Sequence, residues 1–296
     1  MPTDFPEIAV RANGIRFSVH TAGPESSDAL ALCLHGFPEN WYSWRYQMPL
    51  LAKMGYRVWA PDLRGYGGTD KPKDVRDYRM DVLVEDVAQL IDAAGKRKVV
   101  ILSHDWGGNV AWEFMMRKLR PVERFVVMNM PHPRVFRRHM RLGDPQLRRS
   151  WYVLLFQLPG LPEWYLAKNA HHAIGAAFAS MAVDRSRFPL DVIEHYQREA
   201  ARPGAIAGML AYYRAAVRFP STARGGHTVD APTLIVWGQN DTALGGELAV
   251  ESMGHLREGT LRWIPDCSHW VQQEAPEQVN AILEPWLGGQ EPPVFG

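Results

Sequence analysis

The chain has 296 residues, of which 46% are hydrophobic, enough to bury the core of one large domain or of a domain with an insertion. Its 33 lysine and arginine residues nearly balance 32 aspartate and glutamate residues, which argues against a nucleic-acid-binding protein. Because it has only two cysteines, Cys33 and Cys267, no disulfide framework is expected and a cytoplasmic location is favoured. We find no secretory signal, and no apolar run approaches the roughly 18 residues of a membrane-spanning helix.

Strands and helices are predicted in alternation along most of the chain. Asn13-Gly14 divides IAVRANGIRFSVHTAG into two strands and is typical of a hairpin turn. Further along, apolar runs predict buried strands, and helical spacing of apolar residues predicts helices. These strands are predicted in ALALCLHG, YRVWAPDLRGYG, KVVILS, RFVVMNMP, PTLIVWG and GTLRWIPDCSH, and the helices in MDVLVEDVAQLIDAAG and NVAWEFMMRKL. The alternation indicates an α/β protein with a mostly parallel, doubly wound sheet.

The alternation stops between about Pro133 and Thr228, where the composition is helical and no strand is predicted. We interpret residues 134–228 as a helical cap, or lid, inserted into a core that is formed by residues 1–133 and 229–296. Such a cap is expected to close over the carboxyl ends of the strands, which is where open α/β sheets bind ligands.

The stretch ILSHDWGGNVAW places one charged residue, Asp105, at the turn from a buried strand into a helix. Small residues, Ser103 and Gly107, flank it in the pattern of the nucleophile elbow of α/β-hydrolases. The central residue of that elbow is commonly a serine, whereas here it is a carboxylate that is ionised at neutral pH. Asp105 is therefore predicted to be a nucleophile, and the alternative is that it only caps the following helix.

Two later motifs predict the other members of a catalytic triad. Asp241, in WGQNDTAL, follows a buried strand and is the predicted acid, although Asn-Asp pairs also form Asx turns. His269, in PDCSHW, follows the last strand and is the predicted base, with a solvated loop histidine as the alternative. The order of nucleophile, acid and base along the chain is that of the α/β-hydrolases.

The loop HGFPENWYSWR follows a buried strand at the position that supplies one oxyanion-hole N–H in α/β-hydrolases. The candidate donors are the backbone N–H groups of Phe37 and Trp106. A thiol nucleophile at Cys267 is not favoured, because the elbow presents a carboxylate instead. A metal site at His171-His172 is not favoured either, because adjacent histidine side chains rarely converge, and we find no zinc-ligand spacing.

Together these motifs resemble the epoxide hydrolases of the α/β-hydrolase fold, of the soluble type. The resemblance rests on HGFPENWYSWR, PDLRGYGGTDKP, SHDWGG, SWYVLLFQLPG, AYYRAA, LIVWGQND and PDCSHW, and it covers nearly the whole chain. It implies that Tyr152 and Tyr213 donate to the ring oxygen of an epoxide. Tyr213 is preferred over its neighbour Tyr212 because the family tyrosine directly precedes an arginine, as Tyr213 does.

The resemblance also implies the reaction. A small apolar epoxide would form a covalent ester with Asp105, and water, activated by the base, would release a vicinal diol; no cofactor is needed. The substrate pocket is expected to include His35, Pro38 and Trp106, and detoxification is the expected role. The protein is expected to be a monomer or a homodimer.

Other functions and partners stay open from the sequence. Haloalkane and fluoroacetate dehalogenases share the nucleophile and base, but Phe37 has no side-chain N–H for a halide, and Trp106 stands where the fluoroacetate enzymes generally carry arginine. A non-catalytic, hydrolase-like receptor for small molecules is a second alternative. The basic stretch RVFRRHMRLGDPQLRR, residues 134–149, is typical of a solvated helix but also fits attraction to acidic substrates or to an anionic surface.

Overall fold

The structure is a computed structural model that describes residues 5–221 and 227–295. Eight strands form one sheet: β1 (Glu7–Ala12), β2 (Ile15–Ala22), β3 (Ala29–Leu34), β4 (Arg57–Pro61), β5 (Lys98–His104), β6 (Arg124–Met128), β7 (Thr233–Gly238) and β8 (Gly259–Ile264). Their order across the sheet is β1-β2-β4-β3-β5-β6-β7-β8. Strand β2 pairs antiparallel with β1 and β4, and the other neighbours pair in parallel, so the predicted mostly parallel sheet is confirmed.

The described residues also form twelve α-helices and four short 3-10 helices. The α-helices are α1 (Gln47–Lys53), α2 (Met80–Ala94), α3 (Asp105–Arg117), α4 (Pro133–His139), α5 (Pro145–Arg149), α6 (Trp151–Leu155), α7 (Leu161–Met181), α8 (Leu190–Ala200), α9 (Ala205–Arg218), α10 (Gly246–Ser252), α11 (Val271–Glu274) and α12 (Pro276–Leu287). The 3-10 helices span Trp41–Trp44, Val75–Tyr78, Arg185–Arg187 and Met253–His255.

The predicted hairpin joins β1 to β2. Ala12 pairs with Ile15, and the two residues between them, Asn13 and Gly14, have φ values of 44° and 77°. A two-residue turn with both residues at positive φ matches the twist of the flanking strands, and Asn-Gly adopts it with little strain.

Each face of the sheet carries its own apolar layer, because successive strand residues point to opposite faces. In β3, Leu30 and Leu32 belong to the layer that includes residues of α2 and α3. The intervening Ala31 and Cys33 belong to the layer that includes residues of α1 and α12. Helices therefore cover both faces, and the carboxyl ends of β3, β5, β6 and β7 lie side by side at one open edge.

Helices α4 to α9 all lie between β6 and β7 in the chain. Within residues 129–221 and 227–232 the structure shows no strand, only a single bridge between Val229 and Leu256. The predicted cap segment 134–228 also includes residues 222–226, which lie outside the described part of the chain. The helices α6 and α9 belong to this segment and bring side chains toward the open edge of the sheet.

Candidate active site

Asp105 stands at a sharp turn between β5 and α3, with φ of 46°. Its neighbours must be small for this turn to fit. A Cβ atom on Gly107 would lie 2.3 Å from the carbonyl oxygen of Leu34, and one on Gly36 would lie 2.3 Å from the Asp105 Cβ. The turn thus has the strand-turn-helix context of a nucleophile elbow, with the carboxylate at its apex.

The two oxygens of the Asp105 carboxylate have different surroundings. The Phe37 N–H donates a hydrogen bond of 2.7 Å to Oδ1. The other oxygen, Oδ2, lies 3.6 Å from Nε2 of His269. The N–H of Trp106 lies in the first turn of α3, where backbone donors have no partner within the helix.

His269 and Asp241 lie together beside Asp105. Nδ1 of His269 is 2.8 Å from Oδ2 of Asp241, and Asp241 Oδ1 accepts hydrogen bonds from the N–H groups of Ala243 (2.7 Å) and Leu244 (2.9 Å). Strand β8 ends at Ile264, so His269 stands in the loop that follows the last strand. Asp241 therefore orients the imidazole and leaves its Nε2 directed at Asp105.

Asn129 is a positioning residue that the sequence reasoning missed. Its Nδ2 donates 2.7 Å to Asp241 Oδ2, and its Oδ1 accepts from the Gly238 N–H at 3.1 Å. Asn129 follows β6 directly, at φ 42°, so it ties the ends of β6 and β7 to the Asp241 carboxylate. The signal was its position, the first polar residue after the buried run of RFVVMNMP.

Charge interactions set the ionisation of Asp105 and His269. Burial raises the pKa of the Asp105 carboxyl, but the imidazolium of His269 outweighs burial and holds that pKa below its ordinary value. Burial lowers the pKa of His269, yet Asp241 and Asp105 outweigh it and raise that pKa to about 10. The resting site therefore holds an anionic Asp105 beside a cationic His269.

Tyr152, on α6, and Tyr213, on α9, approach each other above the nucleophile, with ring centroids 5.9 Å apart. Burial raises the pKa of both phenols, and the negative charge of Asp105 raises it further, so both stay protonated and able to donate at neutral pH. The neighbouring Tyr212 is engaged elsewhere: its hydroxyl donates 2.9 Å to the carbonyl oxygen of Arg64.

Two cavities meet at these groups. One has a volume of about 400 Å³ and the other about 250 Å³, and Asp105, Tyr152 and Tyr213 line both. Trp106 lines the larger cavity, whereas Pro38 and His269 line the smaller one. An elongated or branched apolar molecule thus has space on both sides of the carboxylate.

His35 does not line either cavity, which corrects the expectation that it contributes to the substrate pocket. Its ring is fully buried, with Nδ1 2.9 Å from the Gly36 carbonyl oxygen and Nε2 accepting the Leu63 N–H at 2.9 Å. Burial lowers the pKa of His35 to about 4, so the ring is neutral. It braces the loop that carries the Phe37 N–H from behind.

A buried pair, Glu39 and His104, lies beneath the site and was also not assigned from the sequence. Glu39 Oε2 accepts from the Gly36 N–H at 2.9 Å and lies 2.8 Å from His104 Nδ1. The other ring nitrogen, Nε2, lies 2.8 Å from the His269 carbonyl oxygen. Through these contacts His104 and Glu39 link the loop that carries Phe37 to the loop that carries His269.

The remaining candidate groups lie apart from this chemistry. Cys33 and Cys267 are buried and unpaired with each other, and burial raises the pKa of the Cys267 thiol. Among residues 5–221 and 227–295, no group of three or more histidine, cysteine, aspartate and glutamate side chains is arranged to hold a metal ion. The same residues contain no helix that is long and apolar enough to cross a membrane.

Known proteins resemble this chain over most of its length. The family model for the alpha/beta hydrolase fold matches residues 32–276. Epoxide hydrolase 3 of Xenopus tropicalis is 37% identical over 286 residues, which cover 95% of this chain and 77% of that protein. Epoxide hydrolase 4 of Homo sapiens is 35% identical over 285 residues, which cover 95% of this chain and 78% of that protein.

A bacterial relative and a solved structure match over nearly their whole length. The AB hydrolase superfamily protein YfhM of Bacillus subtilis (strain 168) is 36% identical over 281 residues, 95% of this chain and 97% of that protein. The crystal structure of the Bacillus megaterium epoxide hydrolase in complex with an inhibitor superposes with a TM-score of 0.87 at 26% identity, covering 95% of this chain and 100% of the other.

Proposed function

The chain belongs to the epoxide hydrolases of the α/β-hydrolase fold, and on this premise we propose that it converts epoxides to vicinal diols through a covalent alkyl ester on Asp105. The observation that carries the proposal is the placement of the Asp105 carboxylate. It lies 2.7 Å from the Phe37 N and 3.6 Å from the His269 Nε2, and it shares both cavities with Tyr152 and Tyr213. A nucleophile, a base and two proton donors thus surround one reaction space.

In the first step, Oδ2 of Asp105 attacks an epoxide carbon and the bond from that carbon to the ring oxygen breaks. Oδ2 is the attacking atom because the Phe37 N–H already holds Oδ1. The ring oxygen leaves as an alkoxide, a poor leaving group, and takes a proton from Tyr152 or Tyr213. Proton donation of this kind is worth roughly 10²–10⁴ in rate.

In the second step, water hydrolyses the ester. Once Asp105 is esterified it no longer carries a charge, so His269 loses one of the two anions that raise its pKa. The imidazolium can then return its proton to the tyrosinate and become a base. Neutral His269 takes a proton from water, the hydroxide attacks the ester carbonyl carbon, and the diol leaves as Asp105 regains its carboxylate.

Backbone N–H groups stabilise the charge that develops in this second step. When Oδ2 bonds to the substrate, Oδ1 becomes the carbonyl oxygen of the ester, and it is the atom that the Phe37 N–H already contacts. We assign the Trp106 N–H, at the start of α3, as the second donor. Preorganised donors of this type lower the barrier because they need no rearrangement as the oxyanion forms.

The wider assignment follows from the same arrangement. We propose that residues 134–228 act as a cap, since α6 and α9 supply the phenols and the cavity walls over the open edge of the sheet. The substrate is a small apolar epoxide, the co-substrate is water, and no cofactor takes part. We propose a cytoplasmic enzyme, present as a monomer or homodimer.

The direct test compares two products. Purified protein is incubated with styrene oxide, and diol is measured by chiral chromatography; in parallel, halide release is measured with 1,2-dibromoethane. The proposal predicts diol formation and no comparable halide release. Halide release without diol would support a dehalogenase, and binding of styrene oxide without any turnover would support a receptor.

A further inference from the structure

Six large apolar side chains are grouped on the surface formed by α6, the loop after it and the start of α7. This apolar patch consists of Trp151, Leu154, Leu158, Leu161, Trp164 and Tyr165, which are 46% to 65% exposed. Single exposed apolar residues are ordinary, but a contiguous group of this size marks a binding surface.

The patch residues on α7 share one face at the start of the helix. Leu161, Trp164 and Tyr165 follow the i, i+3, i+4 pattern of the stripe that a globular helix normally turns to its core. Other residues of α7, among them Ile174 and Phe178, are buried and pack into the core. The outward stripe is therefore a second apolar face, and it is exposed in the described structure.

Two exposed basic residues, Arg148 and Lys168, flank the patch in the chain, whereas Arg138 and Arg149 pair with Glu251 and Glu247 of α10. Residues 134–168 contain seven arginine or lysine side chains and two aspartate or glutamate side chains, although the whole chain has a net charge of only +1. Arg148 is exposed three residues before Trp151, and the Lys168 ammonium lies 4.9 Å from the ring centroid of Trp164. The surface thus combines apolar and aromatic side chains with a basic border.

We propose that the apolar patch docks onto the surface of an anionic phospholipid bilayer. Tryptophan and tyrosine favour the interface between acyl chains and headgroups, where one end of the side chain is apolar and the other is wet. Basic residues such as Arg148 and Lys168 gain from anionic headgroups. The combination is that of segments that lie on a membrane without spanning it.

The charge pattern favours a lipid surface over a second copy of this chain. In a two-fold dimer built on the patch, each basic border would face the same border of its partner, and like charges would repel. An anionic bilayer presents the opposite charge to the same border. The apolar patch is available to either occupant, so the electrostatic term decides between them.

The patch continues into the smaller cavity. Trp151 and Tyr165 belong to the patch and also line this cavity, which contains Asp105. This step rests on the proposed function. Docking gives a lipophilic epoxide a path from the bilayer to Asp105 along apolar side chains. The physical gain is that the substrate does not have to cross bulk water.

Vesicle co-sedimentation tests the docking. The chain is mixed with vesicles of phosphatidylcholine alone and with vesicles of equal parts phosphatidylcholine and phosphatidylglycerol. The patch variant is Leu154→Ser with Trp164→Ser, because these side chains line neither cavity. The matched control is Leu190→Ser with Val250→Ser, two residues that are 70% and 56% exposed outside the patch.

We expect the wild type to partition into mixed vesicles and only weakly into phosphatidylcholine. The patch variant should lose at least about tenfold in partition, because it removes two large apolar side chains from the docked surface. The control should bind as the wild type does, and Arg148→Glu with Lys168→Glu should abolish the preference for anionic lipid. Equal binding by patch variant and control would overturn the proposal.

A dimer is the competing outcome, and analytical ultracentrifugation without lipid detects it. A dimer that dissociates in the patch variant, with no vesicle binding by the wild type, would also overturn the proposal. Diol formation from styrene oxide in the absence of vesicles should be the same in wild type, patch variant and control. Because sedimentation needs no turnover, loss of diol formation alone would count against the proposed function and not against docking.

Discussion

The loops at the edge of the sheet hold their functional groups by short hydrogen bonds, whereas the helices between β6 and β7 hold theirs by aromatic packing. Asp105 and Asp241 each accept backbone N–H groups at 2.7 Å. Tyr213 instead packs edge-on against Phe37 and Phe156, with ring centroids 5.3 and 5.0 Å apart. The groups proposed for covalent chemistry are thus fixed by directional hydrogen bonds, whereas a phenol proposed as a proton donor is held by aromatic packing.

Removing the nucleophile should have the largest effect. We expect Asp105→Ala to abolish diol formation, because no other group at the sheet edge can form the ester, while the fold is retained. Asp92→Ala, which removes an exposed aspartate from α2, is the control and should remain active. Diol chromatography and circular dichroism measure the two quantities, and full turnover by freshly prepared Asp105→Ala would contradict the assignment.

Removing the proton donors tests the helical region. Tyr152→Phe and Tyr213→Phe should each slow ring opening within the roughly 10²–10⁴-fold range of general-acid help, and the double variant should nearly stop it. Single-turnover measurements with styrene oxide isolate this step. Tyr212→Phe is the control, because its hydroxyl is bound to the Arg64 carbonyl oxygen. A silent Tyr213→Phe beside a damaging Tyr212→Phe would reverse the choice between the two neighbours.

The charge of Asp105 should control the ionisation of the base. Asp241 and Asp105 raise the pKa of His269 to about 10 against the effect of burial. An anion favours the charged imidazolium, so its removal in Asp105→Ala should lower the His269 pKa. NMR titration of the labelled histidine ring measures this, with Asp92→Ala as the control. An unchanged pKa would mean that esterification does not prepare His269 to act as a base.

The smallest effect concerns stability alone. Tyr212→Phe leaves the buried Arg64 carbonyl oxygen without its hydroxyl donor, so the free energy of unfolding should fall by about 1–3 kcal/mol. Tyr165→Phe, at a residue that is 54% exposed, should change it by less than about 0.5 kcal/mol. Urea unfolding followed by circular dichroism compares the two. Equal stability in both variants would show that the Tyr212 hydroxyl has no structural role.

The sheet-edge half of the site was open to prediction from the sequence because each group follows a recognisable buried strand. Turn chemistry placed Asp105, and the strand ends placed Asp241 and His269. The sequence did not reveal Asn129, because an asparagine after a strand has many local uses and only tertiary contact brings it 2.7 Å from Asp241. His35 was misjudged for the same reason, since its motif does not show which way the ring points.

The helical half was harder to predict from the residues themselves. Apolar spacing indicates that α6 and α9 are helices, but it does not say which face of each meets the sheet edge. Tyr212 and Tyr213 are adjacent and both buried, and only the family resemblance favoured Tyr213. The structure gives a physical reason to distinguish the two tyrosines. The Tyr212 hydroxyl is bound to the Arg64 carbonyl oxygen, whereas the Tyr213 side chain lines both cavities.

The most direct test of the covalent mechanism uses His269→Gln, which removes the base but leaves Asp105 and both phenols. We predict that this variant consumes about one epoxide per active site and then stops, because the ester forms but is not hydrolysed. Intact mass should rise by one epoxide, and proteolytic mapping should place the adduct on the peptide that carries Asp105. Diol formation by direct attack of water, with no adduct at any time in this variant, would contradict the mechanism.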